Sequence, residues 1–151
     1  QQSYIIYNSH FDNRYGVNGI YTHDKIHLQC QVSDNLLPEL LKDEFRVAET
    51  IFIEEAQFFQ DLYDFVTIAV ELHNKHVIVI GLDGDSNRQP FGQIHQLLPL
   101  ADDITKLKAL CSVCKDGTPG IFSKKIIESD SQVLVGSTDI YIAVCRDCYI
   151  K

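Results

Sequence analysis

TIFIEEAQFF, residues 50–59, combines a short apolar run with two adjacent carboxylates. The apolar residues 51–53 predict a strand that is buried on both faces of a parallel sheet. Glu54 and Glu55 follow at the strand end where open α/β sheets bind their ligands. Acids at such a position can hold a magnesium ion or take a proton from a hydroxyl group. The alternative is a solvated strand end that leads into a helix.

The segments around this stretch predict an α/β sheet. Residues 4–7 (YIIY) and 76–82 (HVIVIGL) have the composition of buried strands. Between residues 59 and 73, apolar side chains recur at helical spacing and predict a helix that packs on the sheet. That stripe consists of Leu62, Phe65, Val66, Ala69 and Leu72. Strand, helix and strand therefore form one βαβ crossover.

Two polar loops follow predicted strands. Residues 10–25 contain Asp12, Arg14, His23 and Asp24, and residues 83–92 read DGDSNRQPFG. Arginine and aspartate just beyond a strand end suit a phosphate group and its metal, although an ordinary surface loop can have this composition. After the first loop, residues 34 and 35 offer an N-cap for a short helix that has Pro38 in its first turn.

The composition limits the classes of function. The formal net charge of −8 argues against a sequence-independent grip on nucleic acid, which needs a basic face. No segment has the pattern of a signal peptide, and no apolar run approaches the roughly 18 residues of a membrane span. We therefore expect neither direct nucleic-acid binding nor a membrane partner.

Four of the five cysteines form two CxxC pairs, which predict a zinc ribbon. Cys111 and Cys114 are separated from Cys145 and Cys148 by 30 residues that read mostly as short β segments. Four thiolates satisfy tetrahedral Zn²⁺ and leave no coordination position open, so the metal is expected to be structural. Free core cysteines or a redox pair are the alternative. Metal-binding cysteines fit a reducing compartment better than a secreted disulfide framework does.

Taken in order, IEEAQFF, LDGDSNRQPFG, LCSVC and VCRDCY resemble the zinc-containing thymidine kinases of the cytosolic and viral type. The upstream segments DNRY and THD also match that family. The resemblance implies a RecA-like, P-loop NTPase-type α/β domain at residues 1–103 and a zinc ribbon with a lasso loop at residues 104–151. It also implies a cytoplasmic homotetramer that phosphorylates thymidine with ATP and Mg²⁺ and has dTTP as a feedback inhibitor.

The same resemblance assigns roles to individual residues. Glu55 matches the catalytic base, and Glu54 matches the magnesium-associated acid, where the family usually has aspartate. Asp12 matches a metal-proximal residue and Arg14 a phosphate-proximal one. The residues that match the thymine pocket are Phe58, Leu82, Phe91 and Ser123, and those that match the lasso are Leu134, Val135, Gly136 and Tyr141. Ser86 stands where most relatives have an aromatic residue.

One part of the family pattern does not occur in these 151 residues. The Walker A loop, G-x-x-x-x-G-K-[ST], cradles the triphosphate, and none of the eight glycines belongs to one. We expect a fragment of a kinase, or else a degenerate domain that binds nucleoside or pairs with an active subunit. An unrelated zinc-ribbon interaction module is a third class. The resemblance further suggests that the missing first strand belongs beside residues 50–53, where its absence would loosen the sheet.

Overall fold

A computed structural model of the protein describes residues 3–11, 19–21, 27–127 and 140–151. Several residues that the sequence singles out lie outside these ranges. They are Asp12, Arg14, His23, Asp24, Leu134, Val135 and Gly136.

The described chain alternates strands with short helices. The strands are β1 (Tyr4–Ser9), β2 (Gly19–Tyr21), β3 (His27–Gln29), β4 (Gln31–Ser33), β5 (Thr50–Glu54), β6 (His76–Val79), β7 (Ala109–Leu110), β8 (Pro119–Gly120), β9 (Phe122–Lys125) and β10 (Tyr141–Val144). The α-helices are α1 (Asp43–Val47), α2 (Leu62–Thr67), α3 (Ile94–Leu97) and α4 (Arg146–Ile150). Three 3₁₀ turns (Leu37–Leu41, Ala56–Phe58 and Leu98–Leu100) and one π-helical turn (Ile68–Leu72) complete the list. None of the described helices is long and apolar enough to cross a membrane.

The main sheet has four parallel strands in the order β4-β1-β5-β6. This confirms the predicted α/β class and the three predicted strands, and it adds β4, which the sequence did not indicate. The predicted position of a missing strand beside residues 50–53 is wrong, because β1 pairs along one edge of β5 and β6 along the other. Backbone groups of β5 therefore have strand partners on both sides within the described residues.

The core lies between one face of this sheet and the helix that follows β5. Ile51 and Ile53 are fully buried, and the Tyr7 ring meets the Phe65 ring edge-on at 5.9 Å between centroids. The other face is only half-covered by the described residues, where Phe52 contacts Tyr4 at 6.1 Å. The prediction of a strand buried on both faces is therefore correct for the helix-bearing face alone.

The predicted helix forms, but its last turn departs from the predicted stripe. Leu62, Phe65 and Ala69 are buried, whereas Leu72 is 76% exposed. Residues 68–72 form a π-helical turn, with the His73 amide donating to the Ile68 carbonyl at 3.3 Å. A π turn contains more residues than an α-helical turn. Apolar residues at 3.6-residue spacing therefore no longer face the core beyond it.

The helix that contains Pro38 is capped from elsewhere in the chain. It is a 3₁₀ turn, and no side chain at its start makes a capping hydrogen bond. The first free amide, that of Leu37, instead donates to Asp61 Oδ2 at 2.8 Å. The predicted cap at residues 34 and 35 is therefore wrong, and an acid 24 residues later takes that role.

The C-terminal part forms small antiparallel sheets around the cysteine pairs. Strand β9 pairs with β10, and β7 pairs with β8. The described residues thus contain the predicted ribbon, while the predicted boundary at residues 103 and 104 stays a prediction.

Candidate functional site

The two acids lie at the carboxyl ends of the central strands, as predicted. Glu54 is the last residue of β5 and lies opposite Asn8 of β1 in the parallel register. Glu55 then adopts the left-handed backbone conformation with φ of 50°, which is rare for a residue with a side chain. Strand β5 therefore ends at Glu54, and Glu55 begins the turn that follows it.

Gln57 lies in the 3₁₀ turn that follows Glu55, and the sequence did not predict a role for it. Its side chain is only 1% exposed. Nε2 donates to Glu55 Oε2 at 2.6 Å, and Oε1 accepts the Leu82 amide at 3.0 Å. The side chain therefore joins the acidic strand end to the start of the loop that follows β6. The only signal in the sequence was a glutamine two residues beyond the acids, in a segment otherwise apolar.

An aromatic cluster flanks the acids. The rings of Phe58 and Phe91, both predicted pocket residues, meet nearly edge-on with 5.5 Å between centroids. Phe11, which the sequence did not indicate, contacts Phe58 at 5.5 Å and is 44% exposed. Leu82 is 46% exposed at the same sheet edge. Offset and edge-on aromatic faces of this kind can enclose a flat heterocyclic ring.

The loop at residues 83–92 is internally ordered. Asp85 is buried, and its Oδ1 accepts the amides of Asn87 at 2.8 Å and Gln89 at 2.9 Å. Gly84 and Pro90 form a bridge across the loop. Lys106 forms an ion pair with Asp83, and the hydrogen bond from this lysine holds the pKa of Asp83 below its usual range.

The same loop contacts the ribbon through a stack of rings and a guanidinium group. Arg88 Cζ lies 4.4 Å from the Tyr149 ring centroid and 5.6 Å from that of Phe122. The Tyr149 hydroxyl donates to the Ser86 carbonyl at 2.7 Å. Cation–π contacts and a hydrogen bond therefore attach the loop at residues 83–92 to the ribbon, and the aromatic ring beside Ser86 comes from Tyr149.

Two predicted pocket residues lie on the ribbon hairpin. Ser123 is opposite Ala143, and Tyr141 is opposite Lys125. Ser123 directly follows Phe122, whose ring centroid lies 5.6 Å from Arg88 Cζ. The nucleoside contacts of Ser123 and Tyr141 remain predictions.

The four paired cysteines come together in one cluster. The sulfur atoms of Cys111, Cys114, Cys145 and Cys148 all lie within 4.8 Å of one another. Cys114 Sγ is 3.8 Å from Cys145 Sγ and 3.5 Å from Cys148 Sγ. Tetrahedral Zn²⁺ with Zn–S bonds of about 2.3 Å requires sulfur atoms about 3.8 Å apart. The donor set and its spacing fit a structural zinc ion.

Local backbone geometry presents these sulfurs. The Cys114 amide donates to Cys111 Sγ at 3.4 Å, and this is the largest of several hydrogen bonds that together lower the pKa of Cys111 to about 6. Crowding has the opposite effect on Cys114, whose pKa is raised, first by its hydrogen bond with Cys148. A divalent cation bound by the four sulfurs would favour their thiolate forms and so offset this effect.

The amino-acid sequence of this chain is similar to those of known proteins. A family model described as thymidine kinase matches residues 1–149. The chain is 40% identical over 146 residues to a thymidine kinase of fowlpox virus, covering 93% of this chain and 76% of the viral protein. It is 38% identical to a rice thymidine kinase over 92% of this chain, and 38% identical to thymidine kinase 1 of Dictyostelium discoideum over 95%.

The coverage of these relatives is unequal. The chain spans 52% of the rice protein and 59% of the Dictyostelium protein, against three quarters of the poxvirus proteins.

Proposed function

Since the chain belongs to the thymidine kinase family, we propose that its site transfers the γ-phosphate of ATP to the 5′-hydroxyl of thymidine, giving dTMP. One observation carries the proposal. Glu54 and Glu55 stand at the carboxyl edge of a parallel sheet, and Glu55 is joined through Gln57 to the backbone of Leu82 beside an aromatic cluster. An acceptor for a hydroxyl proton and a surface for a flat base thus occupy one edge.

In the proposed mechanism Glu55 is the catalytic base. Its carboxylate accepts the proton of the 5′-hydroxyl as that oxygen attacks the γ-phosphorus of ATP, and the bond to the bridging oxygen breaks so that ADP leaves. Glu54, at the tip of β5, is the magnesium-associated acid. Asp12 and Arg14 are proposed to lie near the metal and the phosphate groups, respectively, as the family motif implies. Mg²⁺ with ATP would neutralise the charge that develops on the transferred group.

The thymine base is proposed to lie against the aromatic cluster. The edge-on pair Phe58 and Phe91 supports this, because it offers a ring face at the sheet edge beside Leu82. Ser123 and Tyr141 are proposed to close the pocket from the ribbon. Leu134, Val135 and Gly136 would supply backbone hydrogen bonds to the base, as the lasso of the family does.

The cysteine cluster is proposed to hold one structural Zn²⁺ in a ribbon domain at residues 104–151, beside a nucleotide-binding domain at residues 1–103. Tyr149 of the ribbon contacts Ser86 and Arg88 in the loop at residues 83–92, and these contacts support a role of the ribbon in positioning that loop. Family membership supports a homotetramer inhibited by dTTP. The two CxxC pairs fit metal binding in a reducing compartment better than a secreted disulfide framework, which supports a cytoplasmic location.

The experiment is a phosphotransfer assay on zinc-loaded protein that carries a strand–GxxxxGK[ST]–helix segment ahead of this sequence. With Mg²⁺ and ATP we expect phosphorylation of thymidine in preference to the purine deoxynucleosides. Glu55→Gln should lower kcat by roughly 100-fold or more while thymidine binding stays within a few-fold, as for loss of a general base. Near-normal turnover in Glu55→Gln would contradict the assignment of the base.

A further inference from the structure

We propose that Gln57 is a positioning residue that holds the Glu55 carboxylate in the orientation needed to accept a proton. The inference rests on the proposed role of Glu55 as the catalytic base. Gln57 touches neither nucleoside nor phosphate in this assignment, and it acts through Glu55 alone.

The direction of the Gln57 amide is determined by its partner in the loop. The backbone N–H of Leu82 can only donate, so the side-chain atom 3.0 Å from it must be the accepting oxygen. The amide nitrogen then necessarily faces Glu55, and it lies 2.6 Å from Oε2. Because this nitrogen can only donate, Glu55 must accept, and an ionised carboxylate does this best.

Gln57 also has no room to turn away. Its side chain is buried, and two glycines pack closely against this residue. A Cβ atom at Gly81 would lie 2.5 Å from Gln57 Oε1, and one at Gly92 would overlap the Gln57 backbone carbonyl. The Gln57 amide is therefore confined between the strand end and the loop, and its hydrogen bond restricts the position of the Glu55 carboxylate.

This confinement matters for turnover more than for binding. Glu55 itself has the left-handed backbone conformation at the end of β5, and its side chain could adopt several rotamers there. A misplacement of about 1 Å in a catalytic group can cost on the order of 100-fold in rate. Gln57 restricts Oε2 to one location and thereby fixes the orientation of the whole carboxylate.

The test uses Gln57→Glu, which keeps the size of the side chain and an oxygen for the Leu82 amide. It replaces the donor with an acceptor, so two carboxylates meet and must repel or share a proton. In the phosphotransfer assay we expect kcat to fall about 10- to 100-fold. The thymidine KM, and the dissociation constant measured directly by calorimetry, should change by less than about threefold.

The matched control is Gln93→Glu. Gln93 Oε1 also accepts a backbone amide, that of Tyr63, at 2.8 Å, and the side chain is half-buried. The Gln93→Glu substitution makes the same chemical change away from Glu55, so kcat should remain unchanged. An equal loss in both variants would overturn the proposal, because the loss would then reflect added charge alone.

A double-mutant cycle separates positioning from general damage. In a Glu55→Gln background, Gln57→Glu should cause no further loss of turnover, because the group it positions is already absent. In the 151-residue chain, Gln57→Glu should lower the urea midpoint of unfolding, and Glu55→Gln combined with it should restore the midpoint by restoring a donor–acceptor pair. Independent effects on stability would contradict the contact itself.

These outcomes separate the inference from the proposed function. Full turnover in Gln57→Glu together with an inactive Glu55→Gln would overturn the role of Gln57 and leave the base intact. Full turnover in Glu55→Gln would overturn the base first, whereas the stability cycle would still report on the Gln57–Glu55 contact.

Discussion

The hydroxyl group of Tyr149, one residue beyond Cys148, donates a 2.7 Å hydrogen bond to the backbone carbonyl oxygen of Ser86. It joins the helix that carries the last cysteine to the loop that carries Phe91. The Tyr149 ring also lies under the guanidinium group of Arg88. The geometry of the cysteine cluster is therefore transmitted to one wall of the proposed thymine pocket.

Removing the hydrogen bond between Tyr149 and Ser86 should weaken nucleoside binding. Tyr149→Phe keeps the ring beneath Arg88 and removes only the hydrogen bond, whose net value is about 0.5–1.5 kcal/mol. We expect the thymidine dissociation constant to rise about 2- to 10-fold with little change in kcat. Tyr149→Leu, which also removes the cation–π contact, should have the larger effect. Calorimetry on both variants checks this order, and equal affinities in all three proteins would refute it.

The cysteine cluster should hold one zinc ion per chain. Elemental analysis of protein prepared without chelator is expected to give one equivalent, and Cys114→Ser should lose it. Cys30 is buried in the other part of the protein and is absent from the cluster, so Cys30→Ser should retain the metal. Chelation should also loosen the loop at residues 83–92, measured as faster hydrogen exchange at its amides. A zinc-free wild-type protein would contradict the assignment.

The two acids should have separable roles. Glu54→Gln removes a ligand for the metal that accompanies ATP, so the concentration of Mg²⁺ needed for half-maximal turnover should rise about tenfold or more. Turnover at saturating Mg²⁺ should be affected less than in Glu55→Gln. A magnesium titration of both variants measures this, and an unchanged requirement in Glu54→Gln would exclude direct metal binding.

Removing a buried hydroxyl should not destabilise the protein. The Tyr7 side chain is fully buried, and its hydroxyl has no hydrogen-bond partner among the described residues. Leaving such a group unsatisfied costs about 1–3 kcal/mol, so Tyr7→Phe should be neutral or stabilising in urea unfolding. A clear loss of stability would reveal a partner for the hydroxyl. Tyr4→Phe, at a 59% exposed position, is the control.

The same residue predicts a dependence on alkaline pH. Burial raises the pKa of Tyr7 above its ordinary value of 10.0. As the pH rises through 10, the unfolded chain releases this proton before the folded protein does, so the free energy of unfolding decreases. Tyr7→Phe removes that contribution, and its melting temperature should therefore fall less steeply above pH 10 than that of the wild type.

The 151 residues alone should not transfer phosphate. They contain no loop that supplies the amide nest, the lysine and the metal-binding hydroxyl of a Walker A motif. Joining a strand–GxxxxGK[ST]–helix segment ahead of Gln1 should restore thymidine phosphorylation. Turnover by the 151 residues themselves, above a Glu55→Gln control, would refute this prediction.

Short sequence patterns were sufficient to predict much of the fold. The strands at Tyr4–Ser9, Thr50–Glu54 and His76–Val79 were predictable because each is a short apolar run, and the intervening helix because its stripe has helical spacing. The CxxC pairs predicted the sulfur cluster for a similar reason, since two residues between cysteines let both sulfurs face one ion. Each of these signals lies within a few adjacent residues.

Relationships between distant segments were not available from such patterns. The neighbours of β5, the cap that Asp61 supplies to Leu37 and the exposure of Leu72 each depend on packing elsewhere in the chain. A strand does not encode its partners, and the helical period does not foretell a π turn.

The candidate site divides in the same way. Glu54, Glu55 and the paired cysteines were visible in the sequence because their chemistry is unusual for their position. Gln57 and Tyr149 are ordinary residues by type, and they acquire roles only because folding brings Leu82 and Ser86 within hydrogen-bond distance. A hydrogen bond depends on separation and angle, and for residues 25 or 63 positions apart only tertiary structure determines these quantities.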